Sequence, residues 1–297
     1  MPFINNVLTF AYISNDALIY PSMMRLLFVA LSFFLFLPSF AGSVDTVNIY
    51  STAMKKSYKA VVIKPDSYSD KSKKFETVYL LHGHGGSFSN WVNLVPALMQ
   101  YVDQYQLLIV CPDGSHDSWY FDSPIADAVQ FETYIAKEVP AYVDAHYKTI
   151  ADRNARAITG LSMGGHGGLF LGMRHADQFA GCGSMSGALL IEYITDPKYG
   201  IDKLLGPLST NKQRYVAHSV MNELDSFPTD SLAIIIDCGV DDYVIEMNRM
   251  VHRRMVTLKI PHDYTERPGK HNWDYWRSAV GFQLLYFRQF FDSKKKG

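Results

Sequence analysis

Cysteine is scarce in this chain of 297 residues, which has only Cys111, Cys182 and Cys238. An odd count with no C-x-x-C spacing argues against a disulfide framework and against a structural zinc site. Each thiol lies within or at the end of an apolar run ("LLIVCP", "FAGCGSM", "AIIIDCG"), where cysteine packs as a small hydrophobe. An excess of positive charge is missing too: 28 Lys and Arg face 29 Asp and Glu, for a formal net charge of −1. That balance removes the basic field on which nucleic-acid binding depends, so no nucleic-acid partner is expected. Internal repeats and low-complexity linkers are also lacking, apart from the polar loop 65–76 and a short basic tail.

Long apolar runs are few. "LLFVALSFFLFL" (26–37) falls short of the roughly 20 residues that a membrane-spanning helix needs. Arg25 precedes it, and Pro38 and the small residues Ser39 and Ala41 follow, which is the pattern of a secretory signal peptide. The expectation is a leader over 1–41, a mature domain over 42–297, a secreted or periplasmic location and no stable membrane anchor after cleavage. No Cys follows the run, against a lipid-modified start. Met23 or Met24 makes a more ordinary first residue than Met1, and residues 1–22 carry no recognisable chemistry.

What is present is globular composition, 48% hydrophobic and 19% charged. Eight β-rich stretches are legible: "VDTVNIYST", "YKAVVIKP", "ETVYLLH", "QLLIVCP", "ARAIT", "FAGCGSMS", "LAIIIDCG" and "HDYTERP". Unbroken apolar runs alternating with helical segments predict an α/β fold with a mostly parallel central sheet covered by helices on both faces. Within 126–147, Phe131, Tyr134, Ile135, Val139, Tyr142 and Val143 share one helical face, with a bend expected at Pro140. Residues 188–230 exceed a simple connection and are expected to form a small helical insertion near the active site.

Ligands of such sheets gather at the carboxyl ends of the strands. There "GLSMG" (160–164) matches G-x-S-x-G, in which Ser162 occupies a strained strand-to-helix turn that flanking glycines make room for. A nucleophilic serine needs a base and an orienting acid, both downstream in this turn type. Asp237, Asp241 and Asp242 cluster at one strand end, and His271 lies in a Gly-containing loop before the last helix. "HGHGG" (82–86) ends a buried strand and supplies backbone N–H groups for an oxyanion hole, assigned to His84 together with Met163. Trp119, Tyr120 and Phe121 are candidates for an aromatic substrate wall, with core packing as the competing role. Trp273 and Trp276, at helical spacing, read as core rather than as a ligand platform.

The motifs "LLHGHGGSFSNW", "SWYFDSP", "GLSMGGHGG", "YGIDKLLGP", "CGVDDYVIEMNR" and "PGKHNWDYW" resemble the esterase D-like group of α/β-hydrolases. That group holds acetyl and feruloyl esterases acting on plant polysaccharides, tributyrin esterases, S-formylglutathione hydrolases and mycolyltransferases. The resemblance covers nearly the whole chain after the leader. It implies an α/β-hydrolase fold, a serine esterase with no cofactor or metal, and a small-molecule or polysaccharide ester as substrate. By the same resemblance Ser162 is the nucleophile, His271 the base and Asp242 the acid, with Asp241 beside it as a competitor. Lys270 stands where the family usually has Gly before its base.

Three other readings stay open at the level of sequence. His82 and His84, with His116 and His262, could form a metallohydrolase site. The fold could carry a non-catalytic carbohydrate-binding function. The acyl group could also pass to a sugar hydroxyl instead of water, which the motifs do not separate from hydrolysis.

Overall fold

A computed structural model describes residues 42–226 and 232–295. The leader expected over 1–41 lies outside the described residues. No helix among those described is long and apolar enough to cross a membrane.

All eight predicted strands form. They are β1 (Ser43–Ser51), β2 (Lys56–Lys64), β3 (Glu76–Leu81), β4 (Leu107–Pro112), β5 (Arg156–Gly160), β6 (Gly181–Met185), β7 (Ala233–Gly239) and β8 (Asp263–Arg267). They make one sheet in the order β1-β2-β4-β3-β5-β6-β7-β8. β1 pairs antiparallel with β2 and β2 with β4, while every pairing from β4 across to β8 is parallel.

The parallel part needs cover on both faces, and successive side chains divide accordingly. Val62, Tyr79, Leu81, Val110, Ile158 and Ile236 enter one core, and Val61, Ile63, Val78, Leu80, Ile109 and Ile235 the other. The longer helices are α1 (Leu98–Tyr105), α2 (Val139–His146), α3 (Met163–Arg174), α4 (Leu208–Ala217), α5 (Ile245–Thr257) and α6 (Trp273–Lys295). Val139, Leu169, Phe170, Val251 and Met255 place α2, α3 and α5 on the first face. Leu98, Val102, Val280, Leu284 and Phe287 place α1 and α6 on the second. This is the α/β-hydrolase architecture.

The helix expected over 126–147 starts later, at Phe131, and is not uniform. Phe131–Thr133 is α-helical, Tyr134–Glu138 forms a π turn and α2 follows. Pro140 supplies the cause, because it has no N–H to donate and its ring would collide with the carbonyl four residues back; the widened turn relieves that collision. The buried face is as expected, with Phe131, Tyr134, Ile135, Val139 and Val143 in the core.

The insertion after β6 is built from short pieces: Ile191–Tyr193, Pro197–Tyr199, Ile201–Leu205, α4 and Val220–Glu223. β3 lies between β4 and β5, so the chain leaves β3 toward one side and returns on the other. The crevice outside the carboxyl ends of β3 and β5 is therefore the switch point where such sheets bind ligands.

Candidate active site

Ser162 sits at that crevice, between β5 and α3. Its backbone is at φ 55° and ψ −116°, a region that costs a non-glycine residue about 1–3 kcal/mol and must be held in place by its surroundings. The holding contacts are present. Ser162 N–H donates to the Met185 carbonyl at 3.0 Å, and the Ser162 carbonyl accepts from His166 N–H at 3.0 Å and Ala188 N–H at 3.3 Å. The flanking glycines are sterically required: a Cβ on Gly160 would lie 2.6 Å from the Leu81 carbonyl oxygen, and one on Gly164 would lie 2.5 Å from that of His82. Both contacts are to backbone, which cannot step aside. The turn thus depends on β5 and α3 crossing close above the end of β3.

His271 follows β8 in the loop before α6. Its Nε2 is 2.9 Å from Ser162 Oγ, and its Nδ1 is 2.9 and 3.0 Å from the two carboxylate oxygens of Asp242. A carboxylate accepts, so Nδ1 carries the proton and Nε2 presents a lone pair to the serine hydroxyl. Asp242 is 2% exposed and also accepts the Val244 N–H at 3.0 Å.

The neighbouring acids do other things. Asp241 is exposed and only its backbone N–H is engaged, by the Gly269 carbonyl at 2.9 Å. Asp237 is buried in an ion pair with Arg267 at 2.5 Å and accepts the Tyr275 hydroxyl. Those contacts anchor the two ends of the loop that carries His271. Lys270 is exposed.

On the opposite side of Ser162, His82 organises the loop 82–86. Its Nε2 accepts the Gly114 N–H at 2.8 Å and its Nδ1–H donates to the Gly83 carbonyl at 2.9 Å, while Tyr120 donates its hydroxyl to the His82 carbonyl at 2.8 Å. The Gly83 carbonyl also accepts from Gly86 N–H at 3.0 Å. Two donors hold that carbonyl, and the trans peptide sends the His84 N–H the other way. Met163 is the first residue of α3, so its N–H is one of those a helix leaves without an internal partner. Because both ring nitrogens of His82 are committed to backbone, the His82–His84 metal pair has no lone pair to offer at its first member. His84 packs edge-on against His116, with ring centroids 4.7 Å apart, and His262 is hydrogen-bonded to His252 at 2.8 Å.

The cleft over Ser162 encloses about 290 Å³ and is lined by Gly83–Gly86 and Asn90 together with Tyr199, Tyr243, His271, Trp273 and Trp276. The aromatic wall expected from Trp119, Tyr120 and Phe121 is corrected here: all three are at most 2% exposed and none lines the cleft. The chain turns sharply at 119–120, with positive φ at both residues, and this points the rings into the core. Trp119 reaches the site only indirectly, donating its indole N–H to the Tyr199 carbonyl at 2.9 Å.

Trp273 and Trp276, read as core, do both jobs, since they pack edge-on with ring centroids 5.4 Å apart and also face the cleft. Tyr243 and Asn90 carried no signal in the sequence beyond their adjacency to Asp242 and to the glycine loop. Tyr199 was visible only as an aromatic residue in the insertion.

Residues 51–285 match the family described as "Putative esterase". An acetyl esterase of Caldicellulosiruptor saccharolyticus is 26% identical over 258 residues, covering 79% of this chain and 94% of that protein. The solved structure of a ferulic acid esterase superposes with a TM-score of 0.74 at 28% identity, covering 85% of this chain and 100% of the other. A fluorophosphonate-binding serine hydrolase of Staphylococcus aureus, FphF, shares the fold with a TM-score of 0.73 at 20% identity, over 84% of this chain and 99% of its own. This chain belongs to that esterase family, on an α/β-hydrolase fold, and is an enzyme of the carboxylic ester hydrolase class.

Proposed function

We propose that the chain is an exported serine carboxylesterase that removes acetyl, feruloyl or other short acyl groups from plant polysaccharides through an acyl-enzyme on Ser162. The observation that carries the mechanism is the unbroken line Ser162 Oγ, His271 Nε2, His271 Nδ1, Asp242, each step at hydrogen-bond length. His271 removes the Ser162 proton as Oγ attacks the ester carbonyl carbon. Asp242 holds the ring in the tautomer that makes this possible and stabilises the imidazolium that forms. The His84 and Met163 N–H groups receive the negative charge that develops on the carbonyl oxygen. His271 then gives its proton to the departing alcohol oxygen and the carbonyl re-forms as an ester of Ser162. Water enters, loses a proton to His271, attacks the acyl carbon and releases the carboxylic acid, returning the proton to Ser162 Oγ.

Similarity to the acetyl and ferulic acid esterases supports the acyl groups, and the leader expected over 1–41, removed to leave one catalytic unit from 42, supports export. The test is turnover of p-nitrophenyl acetate, methyl ferulate and acetylated xylan by the mature protein and by Ser162→Ala. The substitution should lower kcat by about 10⁶-fold with circular dichroism unchanged. Near-normal turnover by Ser162→Ala would reject the mechanism. Product analysis with added oligosaccharide separates hydrolysis from transfer: free acid identifies water as the acceptor, and a new sugar ester identifies an acyltransferase.

A further inference from the structure

Two tyrosines from remote segments meet over the nucleophile. Tyr199 belongs to the 3₁₀ turn Pro197–Tyr199 of the insertion, and Tyr243 directly follows Asp242. The Tyr199 ring stands edge-on to His84, centroids 5.2 Å apart, and the Tyr243 ring lies 4.4 Å from His271 at 45°. Both line the cleft. Together they run from the glycine-loop side of the cleft to the base. Tyr199 is fixed by the indole of Trp119 on its carbonyl.

Which half of an ester meets this pair follows from the mechanism. His271 must protonate the departing oxygen, so the alcohol half of the substrate lies beside His271 and its neighbours. Tyr243 is such a neighbour, and it is 64% exposed, so this side opens to solvent and admits a bulky alcohol. Each phenol hydroxyl can donate a hydrogen bond to a ligand hydroxyl and accept one from it, while the rings offer an apolar face to the C–H groups of a sugar.

We infer that Tyr199 and Tyr243 form the recognition element for the alcohol half of the ester, and that they select alcohols bearing free ring hydroxyls over apolar alcohols of the same size. This rests on the serine esterase reading above. It makes the sugar, rather than the acyl chain, the part of the substrate that the insertion reads.

A matched pair of acetates isolates the claim: methyl mono-O-acetyl-β-xylopyranoside and cyclohexyl acetate, two six-membered rings with and without hydroxyls. The measurement is the ratio of their kcat/KM values in the wild type, Tyr199→Phe, Tyr243→Phe and the double variant, with thermal melts to show that each folds. The wild type should favour the sugar acetate, and each Phe substitution should cut that preference by about 10-fold, mainly through a higher KM for the sugar ester. A wild type that turns over both rings equally, or a preference that survives the double variant within twofold, overturns the inference. Either result leaves the Ser162 mechanism standing, because that is judged by Ser162→Ala on any ester.

Discussion

Among three adjacent or near-adjacent aspartates, a single orientation decides which one serves the imidazole. Asp242 faces inward and meets both the His271 ring and the Val244 N–H, whereas Asp241 faces water. Asp242→Asn should therefore lower kcat by about 10⁴-fold, because an amide can stabilise the wrong tautomer and cannot balance the imidazolium. Asp241→Asn should stay within a few-fold of wild type. Steady-state kinetics on p-nitrophenyl acetate checks both, and a large loss from the Asp241 variant alone would reverse the assignment. This choice was not legible in the sequence, since consecutive residues at a strand end point in different directions and nothing local says which way.

At the scale of elements, the serine turn is where β3, β5 and α3 leave no room for a side chain at Gly160 or Gly164. Gly164→Ala would press a methyl group to within 2.6 Å of two carbonyl oxygens at the end of β3, so the helix must shift or the strand must give. A cost of about 1–3 kcal/mol is expected, read as a lower urea midpoint at unchanged slope, together with a drop in kcat as Ser162 moves off the His271 Nε2. Unchanged stability would mean that the elements are less tightly set than the contact distances indicate. The G-x-S-x-G pattern was readable for this reason, because its glycines answer a local steric demand. The π turn ahead of Pro140 was readable only as a bend, since either a kink or a widened turn can absorb the proline.

For the molecule as a whole, the distribution of imidazoles sets the response to acid. Burial holds His82, His166 and His218 below the ordinary range, His166 being pushed down from 6.5 to about 3 where its Nε2 meets the His218 carbonyl at 2.7 Å. The unfolded chain binds protons at these residues that the folded chain refuses. Their contribution to stability is therefore full above the unfolded value near 6.5 and declines as pH falls, that of His166 down to about 3. For His166 this is a slope of about 1.4 kcal/mol per pH unit in that window. Urea titrations between pH 7 and pH 4 should show this decline, and His166→Gln, which retains a donor for the His218 carbonyl, should make it shallower. An identical slope in that variant would show that His166 is protonated in the folded state.

The amino-acid sequence by itself determined the eight strands, their mostly parallel pairing, the buried thiols and the serine and histidine of the site, because these follow from local periodicity, glycine sterics and chain order. It could not decide the acid or the walls of the cleft. Those depend on which side of a loop faces inward once distant segments pack, as when Trp119 turns into the core and Tyr199, held by it, takes the place over Ser162 that the aromatic run 119–121 was expected to fill.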